Sequence, residues 1–420
     1  MKILLVNTSG KTGGAAIAAA RLATALQNNG VYAKMLVANK EDGLNMSTTA
    51  LPNQLCHKWH FLRERLGIFL RQGFTKKHLF EIDPARTGTD ITRLPEFKEA
   101  DIIHLHWVNQ GFLSLKGIER ILRSGKPVVW TMHDMWTFSG ICHYVRDCEN
   151  YMHQCGNCPL LAHNGANDLS HKVWKRKQRL WNSFPTLRFV ACSKWLADTA
   201  AQSPLLRNHH VCDIVNPIDC QTYSPSDKAQ ARKLLQLPQD KLLILFCAYN
   251  VSLPIKGLRY LKEAVDLLVS QEPALKERLG VILAGKCSDN PGQDFAVETY
   301  AMGFVSDEQR KALIYNAANV FVIPSLQDNL PNTIVEAKAC GVPVVGTRVG
   351  GIPQMISDGQ DGRLVAPRNA RELADAIRWT LLEADTASLA AQSRRNATRQ
   401  YSATAVAQKY IALYESLCSK

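Results

Sequence analysis

The segment that most restricts what this chain can fold into lies at residues 320–356, VFVIPSLQDNLPNTIVEAKACGVPVVGTRVGGIPQMI. A β-branched run ends at Pro324, a polar loop follows, a helix-compatible stretch covers 332–340 and stops at Gly341, and a second strand begins at Pro343. The spacing predicts strand, loop, helix and strand in that order. Asp328 stands in the loop and Glu336 on the helix, with seven residues between them, so two carboxylates can face one ligand and hold two hydroxyl-rich groups. Pro331 suits the helix start, where its missing donor is not needed, and the free N–H groups of that end attract anions.

The same alternation runs through the rest of the chain. Residues 2–7 (KILLVN) predict a strand, followed by the turn TSGKTGG and an Ala-rich helix that stops at Gly30. Strand, glycine loop and helix form the phosphate-facing unit of a doubly wound sheet. The loop lacks both the G-x-G-x-x-G and the Walker A spacing, which argues against a nicotinamide enzyme or a nucleotide triphosphatase. Further strands are expected at 31–37, 101–106, 127–132 and 187–193, with helices at 115–124 and 171–181. The N-P-I-D at 216–219 and the turn-rich QTYSPSD after it predict an interdomain linker. A second series follows: a helix to about Leu235, strands at 242–248 and 281–284, helices from Leu258 and Ser306, and a C-terminal helix at 402–417. At 420 residues the chain accommodates two α/β domains, each with its own core.

Two of the strands end in histidines, His106 before Trp107 and His133 before Asp134. Carboxyl ends of parallel strands line the ligand crevice of an open α/β sheet, so both pairs are site candidates. Next comes GICHYVRDCENYMHQCGNCP, in which Cys142, Cys148, Cys155 and Cys158 occupy 17 residues and end in a C-x2-C turn around Gly156. Four thiolates could hold a structural zinc; the first pair has C-x5-C spacing, His143 or His153 could replace one thiol, and disulfides or unligated thiols are the alternatives.

The formal charge of +13 points to an anionic partner: a phosphorylated small molecule, a membrane surface or nucleic acid. Residues 56–80 combine Trp59, Phe61, Leu62, Leu66, Phe69 and Leu70 with Lys58, Arg63, Arg65, Arg71, Lys76 and Lys77, an amphipathic basic pattern that can lie on anionic lipid. Packing of that face on its own domain is the alternative. No apolar run approaches the roughly 20 residues of a membrane span, and the first apolar run is too short for a signal peptide, so a cytoplasmic protein is expected.

The segment P-S-L-x-D-N-L-P-N-T-I-x-E-A-x-A-C-G-V-P-V-V resembles the donor-sugar site of the retaining glycosyltransferases of family 4, which have the GT-B fold and an E-x7-E pattern. The resemblance implies two Rossmann-like doubly wound α/β domains facing across a cleft. It divides the chain into an acceptor-side domain at 1–216 carrying the cysteine loop 142–158, a linker at 217–228, a nucleotide-sugar domain at 229–400, and a helix at 401–420 that crosses back to the first domain. It places Glu336 on ribose and Asp328 on the donor sugar, with Asp one methylene shorter than the family's Glu. It puts Lys256 on the diphosphate, Gly303 and Phe304 near the base, and Asn329 and Leu330 in the donor loop. Gly13 and Gly14 would approach the diphosphate, and His133 matches the active-site histidine, so His133, Lys256 and Asp328 are the implied catalytic set. His106, Trp107 and Asp134 would lie on the acceptor side. Many members carry an arginine shortly before the lysine, whereas residues 249–255 contain no base. Either Lys256 and backbone amides hold the phosphate alone, or Arg348 or Lys286 substitutes.

The implied function is transfer of a sugar from a nucleotide-diphosphate donor to an acceptor hydroxyl, with retention and no catalytic metal. The implied acceptor is a lipid-linked saccharide of surface-polysaccharide synthesis, met at the inner face of the plasma membrane. A GT-B nucleotide-sugar epimerase is a near rival. A zinc-containing nucleic-acid-binding protein is a rival of another class, but no zinc-finger spacing or recognition helix accompanies the cysteines, and no nucleic-acid partner is expected.

Overall fold

A computed structural model describes residues 1–39, 41, 48–287 and 294–418. The chain forms two compact units, Met1–Val215 with Val406–Lys420, and Asn216–Ala405.

The first unit is built on seven parallel strands: β1 (Lys2–Val6), β2 (Tyr32–Val37), β3 (Thr48–Ala50), β4 (Ile102–Leu105), β5 (Val128–Met132), β6 (Arg188–Ala191) and β7 (His210–Asp213). Their spatial order is β3-β2-β1-β4-β5-β6-β7. The central strands are apolar on both faces, as a parallel sheet covered by helices requires; Ile3, Leu4, Leu5 and Val6 are all buried. Helix Gly14–Asn28 lays Ala16, Ala19, Ala23 and Leu26 against the sheet, small side chains that let the helix approach closely. On the other side, Trp130 packs edge-on against Trp181 at 5.5 Å between ring centroids. The helix Ala403–Cys418 buries Tyr410 and Tyr414, whose hydroxyls bond Thr131 and His104 of β5 and β4.

The second unit carries six parallel strands, β8 (Leu242–Asn250), β9 (Leu279–Lys286), β10 (Glu298–Gly303), β11 (Val320–Ile323), β12 (Val344–Thr347) and β13 (Gly362–Val365), in the order β10-β9-β8-β11-β12-β13. Ile244, Phe246, Val281, Val320, Val322 and Val345 fill its core. The buried Lys338 ammonium bonds Asp361 at 2.6 Å, and Asn396 donates to the same carboxylate, tying helix Asn332–Ala339 to the helix Thr386–Tyr401.

In both sheets the chain begins on a central strand, runs to one edge and returns to build the other side. The order therefore reverses between β1 and β4 and again between β8 and β11, the positions at which doubly wound sheets open a crevice for ligand.

Three local details refine the expectations. The segment expected as a linker, 217–228, packs onto the second unit: Tyr223 is fully buried, and the half-buried Arg394 guanidinium donates to the carbonyls of Cys220 and Tyr223, which a run of turns leaves without main-chain partners. The basic amphipathic helix covers Gln54–Arg71 only, since Gly73 and Phe74 take left-handed backbone at φ 64° and 62°. Pro331 is the N-cap of its helix and not part of the first turn.

Candidate active site

The implied donor residues gather on the second unit. Lys256 ends the short 3-10 turn Pro254–Lys256 that follows β8, and Asp328 lies in the loop after β11, so they stand at the carboxyl ends of the two strands flanking the order reversal. Lys256 Nζ lies 2.6 Å from Asp328 Oδ2. The two loops are joined through their backbones. Leu326 N–H donates to the Ile255 carbonyl at 2.8 Å. Gly257, at φ 76°, approaches so closely that a Cβ there would lie 1.9 Å from the Pro324 oxygen, and a Cβ at Gly350 would lie 1.7 Å from the Asp328 oxygen. Both positions require glycine for its missing side chain and its positive φ.

Glu336 is buried on helix Asn332–Ala339, where its Oε2 accepts the Tyr315 hydroxyl at 2.9 Å. Burial, with Cys247 and Glu336 nearby, drives the Tyr315 phenol well above its ordinary range, so it stays a donor to the carboxylate. Nothing in the sequence marks Tyr315 as that partner. Asn329 and Leu330 are buried within the loop.

Gly303 ends β10 at φ 64°, and Phe304 beyond it is half exposed. Its ring meets Tyr249 edge-on at 5.4 Å, and the Lys286 ammonium lies 4.6 Å from the Tyr249 centroid and 5.1 Å from that of Phe304. An aromatic pair with a cation beside the strand ends can stack a flat ring. Of the two candidate substitutes for the absent arginine, Arg348 is committed to Asp358 at 3.1 Å and to the Leu364 carbonyl, and Lys286, whose ammonium donates to the Tyr249 hydroxyl at 2.8 Å, pairs in register with Asn250 next to the Lys256 loop.

The remaining site candidates belong to the first unit. Gly13, at φ 93°, is the N-cap of helix Gly14–Asn28; the backbone there needs glycine at 13, and Gly14 starts the helix. His106 and Trp107 follow β4 and His133 and Asp134 follow β5. His106 Nδ1 and His133 Nε2 are 3.0 Å apart with stacked rings. Asp134 gathers three donors: Trp107 Nε1 at 2.8 Å, His143 Nδ1 at 2.7 Å and the Trp136 N–H at 2.9 Å. Burial alone would raise its pKa, but His143 and these bonds hold it below the usual carboxylate range. Burial pushes His133 down to about 4 against the pull of Asp134, and pushes His106 well below the ordinary imidazole value. His106 and His133 are therefore uncharged near neutral pH.

Cys142, Cys148, Cys155 and Cys158 line one small cavity of about 20 Å³ together with Gly140, Gly156 and Ser170. Cys155, Gly156 and Asn157 all have positive φ, which turns the C-x2-C segment sharply. His143 does not join them, because it is bound to Asp134. Among the described residues no group of three or more His, Cys, Asp or Glu side chains is arranged to hold a metal ion as it stands. Burial raises the thiols of Cys142, Cys155 and Cys158 to about 12, so all three are protonated.

Along helix Gln54–Arg71, Leu55, Trp59, Leu62, Leu66 and Leu70 are all exposed, between 49% and 76%. Spacings of three and four put them on one face. Lys58, Arg63, Arg71, Lys76 and Lys77 are exposed as well. Arg65 is not part of that surface: it turns inward to pair with Asp83 at 2.9 Å. Among the described residues no helix is long and apolar enough to cross a membrane.

Residues 12–222 match the family model for "Glycosyltransferase Family 4", and residues 241–383 match that for "Glycosyl transferases group 1". A D-inositol 3-phosphate glycosyltransferase of Catenulispora acidiphila is 33% identical over 220 residues, 46% of this chain and 50% of that protein, so the chain spans about half the length of such curated relatives. A putative colanic acid biosynthesis glycosyl transferase of Escherichia coli K12, WcaC, is 24% identical over 331 residues, 75% of this chain and 76% of that one. Among solved structures, Anabaena HepE in complex with UDP superposes with a TM-score of 0.63 at 17% identity, covering 99% of this chain and 100% of that one, which shows a shared fold.

Proposed function

Because the chain belongs to glycosyltransferase family 4, we propose that it transfers a sugar from a nucleotide-diphosphate donor to an acceptor hydroxyl, with retention at the anomeric carbon and without a catalytic metal. The observation that carries this reading is the Lys256–Asp328 pair at the order reversal of the second sheet, with Glu336 one helix behind it. A cation beside these strand ends would offset the charge that develops on a leaving diphosphate, and the two carboxylates could accept hydroxyls. Lys256 stabilises the leaving diphosphate as the bond from the anomeric carbon to its oxygen breaks. The acceptor oxygen forms its bond on the same face, and its proton passes to the departing phosphate oxygen, so no protein base is required. Glu336 takes the ribose hydroxyls, Asp328 the sugar, and the Tyr249–Phe304–Lys286 group the base.

The acceptor we propose is a lipid-linked saccharide met at an anionic membrane surface. The exposed apolar stripe of helix Gln54–Arg71 with its flanking cations supports this, as does the polysaccharide role that the name of WcaC gives that relative. We further propose that the cavity of four cysteines takes a structural zinc, for which its donor set and its tight C-x2-C turn speak; binding would draw the sulfurs inward and displace their protons.

The test of the central reading is calorimetry with UDP, GDP and dTDP, followed by turnover of the matching sugar nucleotides and NMR of the product's anomeric configuration. Binding of one diphosphate and an unchanged configuration are expected. No binding to any nucleoside diphosphate would remove the donor site, and turnover confined to a soluble phosphorylated acceptor would replace the lipid-linked one.

A further inference from the structure

We propose that the pocket between helix Gln54–Arg71 and the segment 83–87 of the first unit is a phosphate-group site, with Arg63 and Arg86 as its cations. Its occupant is the phosphate of an amphiphile whose apolar part lies along the neighbouring stripe of that helix. The lipid source of the phosphate rests on the acceptor reading above; the phosphate site does not.

The pocket has a volume of about 160 Å³ and is lined by Arg63, Glu64, Gly67, Pro84, Arg86 and Thr87. It is smaller than the roughly 300–1,000 Å³ of a site for a whole small molecule, so it admits a single group and not a nucleotide. Among the described residues the guanidiniums of Arg63 and Arg86 make no hydrogen bond and no ion pair, which leaves their N–H forks for a ligand. Arg71 spends one N–H on the Gly67 carbonyl at 3.0 Å. A Cβ on Gly67 would lie 3.8 Å from Arg71 Nη1 and 3.9 Å from Arg86 Nη1, so two fork tips converge over a floor that has no side chain. Burial, and after it the charge of Arg86, lowers the Arg71 guanidinium from its ordinary pKa, as expected of like charges held close. Such a grouping is costly until an anion enters it, and guanidinium forks match phosphate oxygens in geometry as well as charge.

Glu64, the acid of the lining, does not neutralise that group. It is buried, and its oxygens face the neighbouring main chain: Oε1 accepts the Arg86 N–H at 3.2 Å and Oε2 the Thr87 N–H at 3.1 Å. Burial beside Asp83 pushes it up to about 7, so near neutral pH it carries only part of a unit charge. Glu64 thus holds the backbone that presents Arg86. The start of the same segment is pinned by the Arg65–Asp83 pair at 2.9 Å and by the Ala85 N–H, which donates to Asp83 Oδ1 at 2.8 Å. The cations are therefore carried on a frame already tied down before any ligand binds.

The source of the phosphate follows from the pocket's place on the helix. Arg63, Gly67 and Arg71 come one residue after Leu62, Leu66 and Leu70, so the two rows run side by side, turned by about 100°. All three leucines are exposed. A phosphate ester without an apolar chain would engage one row; a lipid phosphate engages both.

The deciding experiment is calorimetry of the full chain with dihexanoyl phosphatidic acid, kept below the concentration at which it forms micelles, and with inorganic phosphate. The amphiphile should bind, and inorganic phosphate should compete more weakly. Arg63→Gln and Arg86→Gln should each weaken binding about tenfold or more, the loss of a charge-assisted hydrogen bond. Lys58→Gln removes the same charge outside the pocket and should leave affinity nearly unchanged. Gly67→Leu alters no charge, raises helix propensity and fills the floor, so it should abolish binding with its melting temperature kept. No binding of either probe, equal weakening by Lys58→Gln and Arg86→Gln, or undiminished binding by folded Gly67→Leu overturns the site. Inorganic phosphate bound as tightly as the amphiphile overturns the lipid source. Nucleoside diphosphate affinity should be the same in all four variants, since none is among the proposed donor residues, so failure of this site and failure of the donor reading are told apart. Turnover confined to a soluble acceptor, beside amphiphile binding that depends on Arg86, would remove the acceptor reading and leave the site standing.

Discussion

Lys256 Nζ and Asp328 Oδ2 form a 2.6 Å ion pair between the loops after β8 and β11, joining the cation proposed for the diphosphate to the acid proposed for the sugar. On the proposed reading, a bound donor would divide that pair. Asp328→Asn frees Lys256, and free nucleoside diphosphate should bind as tightly as to wild type or a few-fold tighter, since about a unit of competing negative charge is gone. Turnover should fall sharply. Calorimetry and kinetics on one preparation check both, and weakened nucleotide binding would break the division of roles.

Glu336 calls for a substitution that spares its neighbour. Ala would strand the Tyr315 hydroxyl, whereas Glu336→Gln keeps an acceptor for it and removes the charge. A charged hydrogen bond from Glu336 to ribose would contribute roughly 1.5–3 kcal/mol, so affinity for the diphosphate should drop at least about tenfold with little change in melting temperature. Tyr315→Phe should weaken binding less, because it frees the carboxylate without removing it. Undiminished affinity in folded Glu336→Gln would exclude the ribose role.

The helix Gln54–Arg71 should bring the protein to vesicles that contain anionic lipid and leave neutral ones largely unbound. Each exposed cation contributes on the order of 1 kcal/mol near such a surface, screened over about 8 Å at physiological salt. Replacing Lys58, Arg63, Arg71 and Lys76 with Gln should abolish most co-sedimentation and leave nucleotide affinity alone. Arg65 is excluded because its pair with Asp83 is structural. Equal partitioning of variant and wild type would leave the apolar stripe to some other partner.

Burial, with Asp83 beside it, pushes Glu64 up to about 7. In the unfolded chain it titrates as an ordinary carboxylate, so between about pH 4.5 and 7 the folded state holds a proton that the unfolded state has lost. The resulting stability is full below that window and disappears as pH rises through 7. Glu64→Gln can still accept the Arg86 and Thr87 N–H groups, and its melting temperature should gain on wild type between pH 5 and pH 8. A gap that does not change with pH would show that Glu64 is ionised throughout.

Protein purified without added metal should contain about one zinc per chain, released by Cys155→Ser with Cys158→Ser. Metal-free protein of full stability with all four loop thiols open to alkylation would end that proposal.

Much of the layout was readable because β1, β4, β5, β8 and β11 are compact apolar runs followed by loop chemistry, and because Asp328 and Glu336 sit on one short loop-and-helix segment. Three of the four edge strands were not: β10 is half polar along its length, and β3 and β7 are short with little burial, so no periodicity marks them. Partners distant in sequence were equally silent. His106 meets His133 27 residues on, Arg65 meets Asp83, and Tyr315 reaches Glu336 from a neighbouring helix, contacts set by tertiary packing with no local pattern. Arg65 read as a surface cation because helix spacing cannot say which charge has an acid waiting beneath it.

The glycines at 257 and 350 carry a consequence for how this chain can diverge. They steer the loop by main-chain contact from positions outside it, so its course does not depend on the partly exposed side chains at 326–328. Exchanging the acid at 328 for a longer or a neutral one alters what the loop grips and leaves its path alone. If Asp328 holds the sugar as proposed, donor preference would be uncoupled from foldability at that spot, and a lineage could wander in donor choice there without first having to repair its scaffold.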